Sequence, residues 1–537
     1  MHDSVVAMLD HTADEFPARV ALRMGDAQLT YDELRNTVAG MPRMLMAAGS
    51  RGRRVATVLP NSLRACIAPY AIAAAGAQHV PLNPQYTARE LQYMLRDSAP
   101  RLLIVDDELL CKVESLAREL PDCQLVRGSE IGALLASWKS RSPNGGLAPL
   151  FPGVEELAIL QYTGGSSGFP KGVNLTHRAI STNISQREGL LPVGRGGEVV
   201  LCVMPLFHSY AMAMGLFLCG YSGSTLVVLA GYHPEKLIAA IAQHAITIFP
   251  GSPTIFTGLM ACAAFASSDW SRVHTCYSGS AALSAETLER WEAATHAPIY
   301  EGYGQTEAGP VLTFNPMAGP VKVGSVGIPV AATEVQVVDL KTGQEVLPVG
   351  TMGEIRARGP QLMQDYHNLP LETREALRDG WLYTGDIGEF TARGFLKITD
   401  RKKDLIKTAG GKYIAPQKLE GLLKLDPLIS NVLIHGDRKK YVVALITLDE
   451  AHAKKMSQDK GWNPRDYKAL TQLPEMNQMI RKTVAQVNTK LASYETIKHF
   501  AILPADFTIE SGELTPSLKV KRRVLDERYK SVIDGLY

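Results

Sequence analysis

The chain has 537 residues, with 56 Lys plus Arg against 54 Asp plus Glu and a formal net charge of +2. This length exceeds one ordinary hydrophobic core and predicts about two to four domains. The near balance of charge gives no global positive field, which excludes a protein that grips nucleic acid through its overall charge.

The seven cysteines are scattered without a C-x-x-C pair, which disfavours both a zinc knuckle and a disulfide framework. We therefore expect reduced thiols and a cytoplasmic location. The N-terminal stretch MHDSVVAMLDHTADEFPARV carries charged residues where an export signal needs an unbroken apolar core. The most apolar stretch, 201–230, is interrupted by Pro205, His208 and several glycines and serines, so it predicts buried strand and helix and not a membrane span.

From the N-terminal end, short β-rich apolar runs alternate with helical patterns over most of the chain. The runs lie at 55–59, 102–105, 157–162, 199–203, 225–229 and 246–249. Helix starts at Thr30 and Thr87 have capping-box spacing, in which a threonine and a glutamate satisfy each other's exposed amide groups. The alternation predicts an α/β fold with layered sheets.

Beyond about Gly324 the pattern changes to shorter strands with Gly and Pro turns, which predicts a β-rich subdomain at about 324–399. The stretch 140–149 reads as an exposed loop. The charged cluster 400–404, DRKKD, precedes a tail with two strand-like runs, 431–435 and 441–448, and helical segments. We therefore predict a large N-terminal domain at 1–399 and a small α+β C-terminal domain at 400–537.

The sharpest local motif, residues 162–172, reads YTGGSSGFPKG and directly follows a predicted strand. Its glycines let backbone amides approach an anion, its hydroxyl side chains add donors, and Lys171 adds a mobile positive charge. The motif predicts a polyphosphate cradle, and on composition alone its alternative is a flexible surface turn. It differs from the G-x-x-x-x-G-K-[ST] loop. In that loop a magnesium-binding hydroxyl residue follows the lysine, whereas Gly172 follows Lys171.

Further candidate segments follow in chain order. They are 278–283 (SGSAAL), 300–308 (YEGYGQTEA), 379–386 (DGWLYTGD), 407–416 (KTAGGKYIAP) and 512–523 (GELTPSLKVKRR). Taken singly, the first reads as a tight turn before a helix from Ser284, Glu307 as an exposed loop acid, and the last as a basic helical tail. Together, and in this order, they resemble the acyl-adenylate-forming superfamily of acyl-CoA synthetases, firefly luciferases and peptide-synthetase adenylation domains. The resemblance spans nearly the whole chain, with Gly164 standing where the family's phosphate loop has a serine.

The resemblance implies a site for ATP and Mg²⁺ in the N-terminal domain. Tyr303 is expected near the adenine, Thr306 at the α-phosphate and Glu307 as the metal ligand, since magnesium prefers oxygen ligands. Lys171, Thr306 and Glu307 are also expected to act in catalysis. The residues of this domain expected to bind the nucleotide are Thr163, Gly164, Gly165, Ser166, Ser167, Gly168, Lys171, Ser280, Ala281, Ala282, Glu301, Gly302, Tyr303, Gly304 and Thr306.

The resemblance also implies roles around the predicted domain boundary. Asp386 is expected to accept hydrogen bonds from the two ribose hydroxyls, which a charged acceptor strengthens. Arg401 is expected to reach the ribose or the phosphates. Lys403 falls at the family's hinge, about which the mobile small domain rotates between two half-reactions. The alternative for this cluster is a solvated basic linker.

In the C-terminal domain the resemblance implies a thiol tunnel and a catalytic lysine. Gly410 and Gly411 are expected to permit close approach of the pantetheine arm of coenzyme A. Lys519 is expected to bridge the attacking carboxylate and the α-phosphate, stabilising charge that develops in the reaction. Lys521 is the second choice for that lysine, because the alignment of the basic run leaves both registers open.

His208, Tyr210 and Gly279 are expected to contact the acid substrate, although a histidine in an apolar run is more often a hydrogen-bonded core residue. The C-terminal segments most resemble long-chain fatty acyl-CoA synthetases, which implies a medium- or long-chain fatty acid. The segment 205–210 (PLFHSY) lacks the aspartate that holds the substrate amine in peptide-synthetase domains. An amino acid is therefore disfavoured, and aryl acids remain open.

We thus expect a ligase that converts a carboxylate into acyl-AMP, releases pyrophosphate and transfers the acyl group to coenzyme A. The alternatives are transfer to a carrier protein or an amine, and a non-catalytic lipid or nucleotide sensor. The complete set of site residues disfavours the sensor, because a mere binder has no need for all of them. No nucleic-acid partner is expected, and the oligomeric state, with a homodimer among the candidates, is not readable from these patterns.

Overall fold

The computed structural model describes residues 2–132, 151–163, 169–319, 322–410, 412–462, 464, 466–508, 510–514 and 520–537. The loop predicted at 140–149 lies outside these residues. By its internal contacts the chain divides into two compact units. The large unit is Met1–Thr351, Ile355–Thr384 and Phe390–Lys397, and the C-terminal unit is Met352–Glu354, Gly385–Glu389 and Ile398–Tyr537. The domain boundary at 399/400 and the subdomain at about 324–399 stay predictions.

One sheet of the large unit has seven strands in the described part of the chain. In spatial order they are Asp365–Tyr366, Lys171–Thr176, Leu157–Thr163, Gln78–Pro81, Arg54–Val58, Leu102–Val105 and Gln124–Arg127. The last five run parallel, and the first two add an antiparallel edge. The central strands are buried along almost their whole length. This burial explains why their sequences are continuous apolar runs without alternation.

The second sheet of the large unit has nine strands within the described residues. In spatial order they are Ile328–Pro329, Val311–Phe314, Ile299–Gly304, Thr275–Ser278, Ile248–Gly251, Val199–Cys202, Thr225–Val228, Val20–Met24 and Ala27–Thr30. The six from Ile299–Gly304 to Val20–Met24 run parallel. The runs predicted at 199–203 and 225–229 are central members, and the run predicted at 246–249 becomes a strand two residues later.

Helices of the large unit pack against these sheets through a shared apolar core. Thr30 and Thr87 each form both hydrogen bonds of the predicted capping box, and Ser284 caps the helix predicted to follow it. The α-helices of this unit are Val5–Glu15, Tyr31–Ala47, Leu63–Ala74, Ala88–Ser98, Leu110–Arg118, His177–Glu188, Ser209–Ala211, Phe217–Ser222, Pro234–His244, Pro253–Met260, Ala285–Thr295 and Pro370–Ala376. Met212–Leu216 forms a π-helix, and Asp107–Leu109, Phe265–Ser267 and Thr306–Ala308 form 3-10 turns. The predicted α/β fold class is confirmed.

The β-rich region predicted at about 324–399 contributes strands to several sheets. Glu334–Val338, Gly353–Arg358, Trp381–Phe390 and Leu377–Arg378 form a further sheet in that order, and Leu396–Arg401 pairs with Trp381–Phe390. Two shorter strands of the region, Ile328–Pro329 and Asp365–Tyr366, belong to the edges of the two larger sheets. The short strands and turns were therefore predicted correctly in kind, whereas sequence alone did not distribute them among sheets.

The C-terminal unit is built on a three-stranded sheet. Its strands lie in the order Ile429–His435, Val442–Leu448 and Ile497–Ile502, the first pair antiparallel and the second parallel. The central strand is fully buried and begins one residue after the start of the run predicted at 441–448. The helices of the unit are Pro416–Leu423, Glu450–Asp459, Tyr467–Thr471, Pro474–Asn488, Arg522–Arg528 and Lys530–Asp534, with a 3-10 turn at Lys402–Asp404 and a strand pair Ile406–Lys407 with Tyr413–Ile414.

The apolar stretch 201–230 folds as predicted, into two central strands with helices between them. Among the residues that the structure describes, no helix combines the length and apolar character needed to cross a membrane. The stretch is therefore part of the core of the large unit.

The seven cysteines are free thiols that differ in exposure. Cys66, Cys202, Cys219 and Cys276 are buried, whereas Cys111 is exposed. Burial raises the pKa of the Cys202 thiol to about 12. No disulfide joins any of these seven described cysteines.

Candidate nucleotide site

The predicted site residues of the large unit follow the carboxyl ends of parallel strands. These residues, each with its strand, are Thr163 with Leu157–Thr163, His208 with Val199–Cys202, Gly279 with Thr275–Ser278 and Thr306 with Ile299–Gly304. Ligands of parallel α/β sheets bind beyond these strand ends, because the connecting loops meet there. The topology therefore brings His208, Gly279 and Thr306 to one edge of the nine-stranded sheet, whereas Thr163 ends a strand of the seven-stranded sheet.

Side-chain contacts join these loops to one another. Gln161 Nε2 donates to the carbonyl of Phe207 over 2.8 Å, which links the strand before the phosphate loop to the segment that holds His208. Ser209 Oγ lies 3.3 Å from Thr306 Oγ1, which links that same segment to the strand end beyond Ile299–Gly304. The loops thus form one connected wall.

The strand pair that carries the predicted phosphate loop keeps one register from Ile159 to Thr163, after a shift between Leu157 and Ile159. Thr163 and Lys171 are register partners, and Thr163 Oγ1 donates to the Lys171 carbonyl over 3.4 Å. A Cβ at Gly172 would lie 2.9 Å from a methyl carbon of Leu160, so strand packing alone favours glycine there. The rest of the predicted cradle, Gly164, Gly165, Ser166, Ser167 and Gly168, lies outside the described residues.

Tyr366 contacts two of the predicted catalytic residues. Its hydroxyl donates to Glu307 Oε1 over 2.7 Å, and Lys171 Nζ lies 4.8 Å from the centre of its ring. Burial and the Glu307 carboxylate both raise the pKa of Tyr366, so its hydroxyl stays protonated as a donor. The sequence analysis missed Tyr366, because the segment QDYHN offers no spacing or composition that singles it out.

Thr306 and Glu307 lie in the 3-10 turn Thr306–Ala308, directly after the strand predicted to lead to them. Thr306 is 9% exposed, while Glu307 is half-buried. The backbone N–H of Met363 donates to the Glu307 carbonyl over 2.8 Å. The turn is therefore tied to the segment that leads to Tyr366.

The segment predicted to line the adenine pocket presents small, exposed side chains. Ser280, Ala281 and Ala282 are exposed, and Ser280 has a left-handed φ of 71°. Glu301 holds the end of this segment, because its Oε1 accepts a hydrogen bond from the Leu283 N–H over 3.0 Å. Burial raises the pKa of Glu301 to about 7. Glu301 thus connects two neighbouring strand ends of the predicted nucleotide pocket.

The glycines of the motif 300–308 have a packing role in the sheet. A Cβ at Gly302 would lie 2.3 Å from the ring of Phe314, and one at Gly304 would lie 1.8 Å from the Pro310 carbonyl oxygen. Tyr303, between them, is half-buried. The close approach of the strand Val311–Phe314 therefore requires both glycines, whatever they contribute to nucleotide binding.

The predicted substrate-binding residues differ in exposure. His208 is exposed and caps a short helix, its Nδ1 accepting from the Tyr210 N–H over 3.2 Å. Tyr210 is buried, and its hydroxyl donates to the carbonyls of Gly251 and Tyr277 over 3.1 and 3.3 Å. A Cβ at Gly279 would lie 3.1 Å from the Tyr210 ring, so glycine leaves that ring edge uncovered on this side. The Tyr210 hydroxyl is therefore committed to the backbone, and contact of its ring with a substrate stays a prediction.

The C-terminal unit holds a second cluster of predicted site residues. Arg401 Nε lies 3.2 Å from Asp386 Oδ1, with side chains 53% and 8% exposed respectively. Lys403 follows in the 3-10 turn Lys402–Asp404, and partial desolvation lowers its pKa. The strand ends at Arg401 and the turn begins at Lys402, so the predicted hinge residue Lys403 is the second residue of the turn.

Buried charges support this cluster from within the C-terminal unit. Asp400, 2% exposed, accepts from the Gln417 N–H over 2.8 Å at the start of the helix Pro416–Leu423. Burial raises the pKa of Asp400 to about 6. Arg522 donates two hydrogen bonds to Glu420, over 2.7 and 2.6 Å. Asp400, the first residue of the charged cluster 400–404, is therefore packed inside the C-terminal unit.

The predicted thiol-tunnel segment is a tight loop of the C-terminal unit. The Thr408 N–H donates to the Lys412 carbonyl over 2.9 Å, and the Ala409 N–H donates to the Lys439 carbonyl over 2.9 Å. Gly410 is exposed at the tip, and Gly411 lies outside the described residues. Both flanks of the tip are therefore fixed by the backbone.

The preferred catalytic lysine, Lys519, lies outside the described residues. The residues on either side of its segment pair in a β-bridge between Leu514 and Val520. Lys521, the second choice, is exposed just before the helix Arg522–Arg528, and its N–H donates to the Glu513 carbonyl over 2.9 Å. The choice between the two lysines stays a prediction.

Comparison with known proteins bears on the whole chain. A family described as "AMP-binding enzyme" matches residues 9–367, about two thirds of the sequence. The chain belongs to this family. The family's C-terminal domain matches separately, over residues 403–537. The resemblance inferred from the motifs is therefore confirmed.

Curated relatives of this AMP-binding enzyme match over most of its length. A long-chain-fatty-acid–CoA ligase of Bacillus subtilis is 33% identical over 466 residues, which cover 81% of this chain and 83% of the relative. The long-chain-fatty-acid–CoA ligase FadD15 of Mycobacterium bovis is 29% identical over 624 aligned positions, which cover 100% and 97%.

Solved structures share the fold of this AMP-binding enzyme. ATP-bound MatB from Rhodopseudomonas palustris superposes with a TM-score of 0.82 at 24% identity, covering 99% of this chain and 100% of that one. The fatty acyl CoA synthetase of Mycobacterium tuberculosis superposes with a TM-score of 0.74 at 25% identity and covers 99% of each chain.

The donor set of this AMP-binding enzyme decides what kind of metal site it can form. In the described ranges, no three His, Cys, Asp or Glu side chains converge to hold a metal ion. Glu307 offers one carboxylate, and Mg²⁺ is commonly held by one or two carboxylates together with substrate phosphates. The Glu307 carboxylate therefore suits a magnesium ion that would arrive with ATP.

Proposed function

We propose that this enzyme activates a medium- or long-chain fatty acid with ATP and transfers the acyl group to coenzyme A. One observation carries the choice of substrate: relatives that match over four fifths of the chain or more are long-chain-fatty-acid–CoA ligases. The enzyme class predicted from the sequence, an AMP-forming acid–thiol ligase, is the class of these relatives.

The first half-reaction would make the acid reactive. A carboxylate resists thiols because its leaving group would be oxide, so one carboxylate oxygen attacks the α-phosphorus of ATP. The new O–P bond forms as the bond to pyrophosphate breaks, and acyl-AMP results. Lys171 would hold the charge of the departing pyrophosphate, Thr306 would donate to the α-phosphate, and Lys519 would steady the reacting centre. Mg²⁺, held by Glu307 and the phosphates, would supply further charge neutralisation.

The second half-reaction would consume acyl-AMP. The sulfur of coenzyme A attacks the acyl carbon, AMP leaves with the bonding electron pair of the broken C–O bond, and the thiol gives up its proton. Rotation of the C-terminal domain about Lys403 would withdraw Lys519 and bring Gly410 and Gly411 to the pantetheine arm. One site would thereby serve two reactions through a conformational step.

The ribose of the nucleotide would bind to Asp386 and Arg401 of the C-terminal unit. Asp386 would accept from the ribose hydroxyls and Arg401 would reach the ribose or the phosphates, as their 3.2 Å ion pair leaves the arginine exposed to a ligand. A carboxylate acceptor makes each sugar hydrogen bond stronger than a neutral acceptor would. Loss of the Asp386 carboxylate should therefore raise the KM for ATP.

The experiment is a panel of carboxylic acids, from about 2 to 18 carbons plus aryl acids, scored by pyrophosphate release with ATP and Mg²⁺. Each active acid is then offered coenzyme A, a pantetheinylated carrier protein and hydroxylamine. We expect release to be highest with medium- or long-chain acids and to yield the coenzyme A thioester. Preference for an aryl acid or for the carrier protein would replace the proposed substrate or acceptor, and absence of AMP with every acid would overturn the proposal. The cytoplasmic location and a homodimer stay predictions.

A further inference from the structure

Tyr366 is anchored at the edge of the seven-stranded sheet, beside the strand that begins with Lys171. Its two-residue strand pairs antiparallel with Lys171–Thr176, and Tyr366 is the register partner of Val173. Residues two apart on a strand share a face, so Lys171 is the diagonal neighbour of Tyr366 on that face. The backbone of Tyr366 is also held in place, because its N–H donates to Thr373 Oγ1 over 3.0 Å.

The side chain of Tyr366 lies between the two charges that the proposed first step needs. Its hydroxyl meets Glu307 over 2.7 Å, and the Lys171 ammonium lies 4.8 Å from its ring centre. The side chain is well packed, since the residue is only 9% exposed. A rigid ring that touches both groups fixes the separation between a cation and a carboxylate that are far apart in sequence.

The chemistry of each contact suits ligand binding. A carboxylate has about four lone-pair positions, so a hydrogen bond accepted from a tyrosine leaves capacity for a metal ion. Hydrogen-bonded partners of metal ligands orient them, and their loss typically costs about 10- to 100-fold in metal affinity or activity. A cation above an aromatic face is attracted by the ring's electrons, which keeps the lysine extended without neutralising it.

We infer that Tyr366 is a positioning residue that orients Glu307 toward the metal of MgATP through its hydroxyl and Lys171 toward the phosphates through its ring. This inference rests on the proposed function. The two contacts separate its roles, because phenylalanine at this position removes the hydroxyl and keeps the ring, whereas leucine removes both.

The test compares Tyr366→Phe and Tyr366→Leu with the wild type by calorimetric titration of ATP, once with excess Mg²⁺ and once with EDTA. We expect Tyr366→Phe to reduce ATP affinity about tenfold with Mg²⁺ and to leave it unchanged in EDTA. Tyr366→Leu should weaken ATP binding in both conditions, since Lys171 loses its support as well. The Mg²⁺ concentration for half-maximal pyrophosphate release should rise for Tyr366→Phe by a similar factor.

Tyr31→Phe is the matched control. The Tyr31 hydroxyl is buried and donates to the carbonyls of Cys219 and Ser224 over 2.6 and 2.7 Å, and neither is a predicted site residue. Its loss should lower the melting temperature and leave the Mg²⁺ dependence unchanged. If Tyr366→Phe behaves like this control, Tyr366 is merely structural and the inference is wrong. If wild-type ATP binding is itself insensitive to Mg²⁺, the proposed function fails first, which is a different result.

Discussion

Two sets of charged side chains, one in each unit, have different neighbours. In the large unit, the predicted site residues Lys171 and Glu307 both contact Tyr366, a neutral side chain. In the C-terminal unit, buried carboxylates are held by cations. Glu354, Glu495 and Glu420, with side chains 4%, 6% and 12% exposed, pair with Lys402, Lys418 and Arg522.

This difference predicts whether a substitution should change the stability of the fold or the binding of a ligand. Removing one partner of a buried ion pair leaves an uncompensated charge, so such changes in the C-terminal unit should act on stability. Removing a neutral hydroxyl that orients a ligand should act on binding while most of the fold persists. The following predictions test this contrast, beginning with the largest expected effect.

Lys519→Ala should separate the contribution of the C-terminal unit to one half-reaction. Without that cation, we expect ATP–pyrophosphate exchange to fall by at least on the order of 10²–10³-fold, the cost of losing one stabiliser of transition-state charge. Thioester formation from supplied acyl-AMP should be largely intact. Lys521→Ala is the matched control and should retain exchange. Equal loss of both half-reactions in Lys519→Ala would refute the role, and the reverse pattern would transfer it to Lys521.

Arg522→Ala should unfold the C-terminal unit more easily. It would leave the Glu420 carboxylate buried without its two short hydrogen bonds, at a cost of about 3–5 kcal/mol. Arg522→Lys should recover part of this loss, because one ammonium replaces a two-point contact. The measurement is denaturant unfolding followed in the C-terminal unit. Arg523→Ala serves as the control, since Arg523 is 92% exposed, and an equal loss in that variant would show that the contrast between buried and exposed pairs does not hold.

Glu301→Gln should flatten the pH dependence of stability in the large unit. Burial raises the pKa of Glu301 from 4.5 to about 7, so the folded state keeps a proton that the unfolded state releases. Stability should therefore be highest below about pH 4.5 with respect to this group and fall as the pH rises to about 7, by about 3 kcal/mol in all. Melting temperatures from pH 5 to 8 measure the slope. Glu289→Gln, an exposed site, is the control, and parallel curves for wild type and Glu301→Gln would contradict the prediction.

Arg401→Ala should cost less stability than Arg522→Ala, because the Arg401 side chain is 53% exposed and that of Arg522 only 20%. The KM for ATP should rise nonetheless, since the arginine is proposed to reach the ribose or phosphates. Steady-state kinetics and thermal unfolding of one preparation check both statements. A large stability loss with an unchanged KM would place Arg401 among the structural ion pairs instead.

Much of the fold followed from local patterns. Apolar runs predicted five strands to within one residue of their observed bounds, and threonine–glutamate spacing predicted two capped helices. Such features depend on neighbours in the chain, so a sequence displays them. The assignment of short strands to sheets does not depend on neighbours in the chain. Asp365–Tyr366, for example, pairs with a strand that begins at Lys171, almost two hundred residues away.

The residues of the candidate site also fall into two groups, those that the sequence reveals and those that only the fold reveals. The composition of its loop singled out Lys171, whereas Thr306 and Glu307 were singled out by the resemblance of their motif to the family. Tyr366 could not be found this way, because its value comes from two contacts that only the fold creates. The motif glycines show the converse, since Gly302 and Gly304 are required by the packing of a neighbouring strand as well as by any nucleotide.

The uneven exposure of the thiols makes the wild-type chain selectively addressable. Thiolate is the form that reacts with maleimides, and burial suppresses it at Cys66, Cys202, Cys219 and Cys276. A dye offered in limiting amount should therefore couple first at exposed Cys111, on the helix Leu110–Arg118. A fluorophore there, with an acceptor introduced on the C-terminal unit, would test the proposed rotation between half-reactions by following the distance between the two dyes in real time.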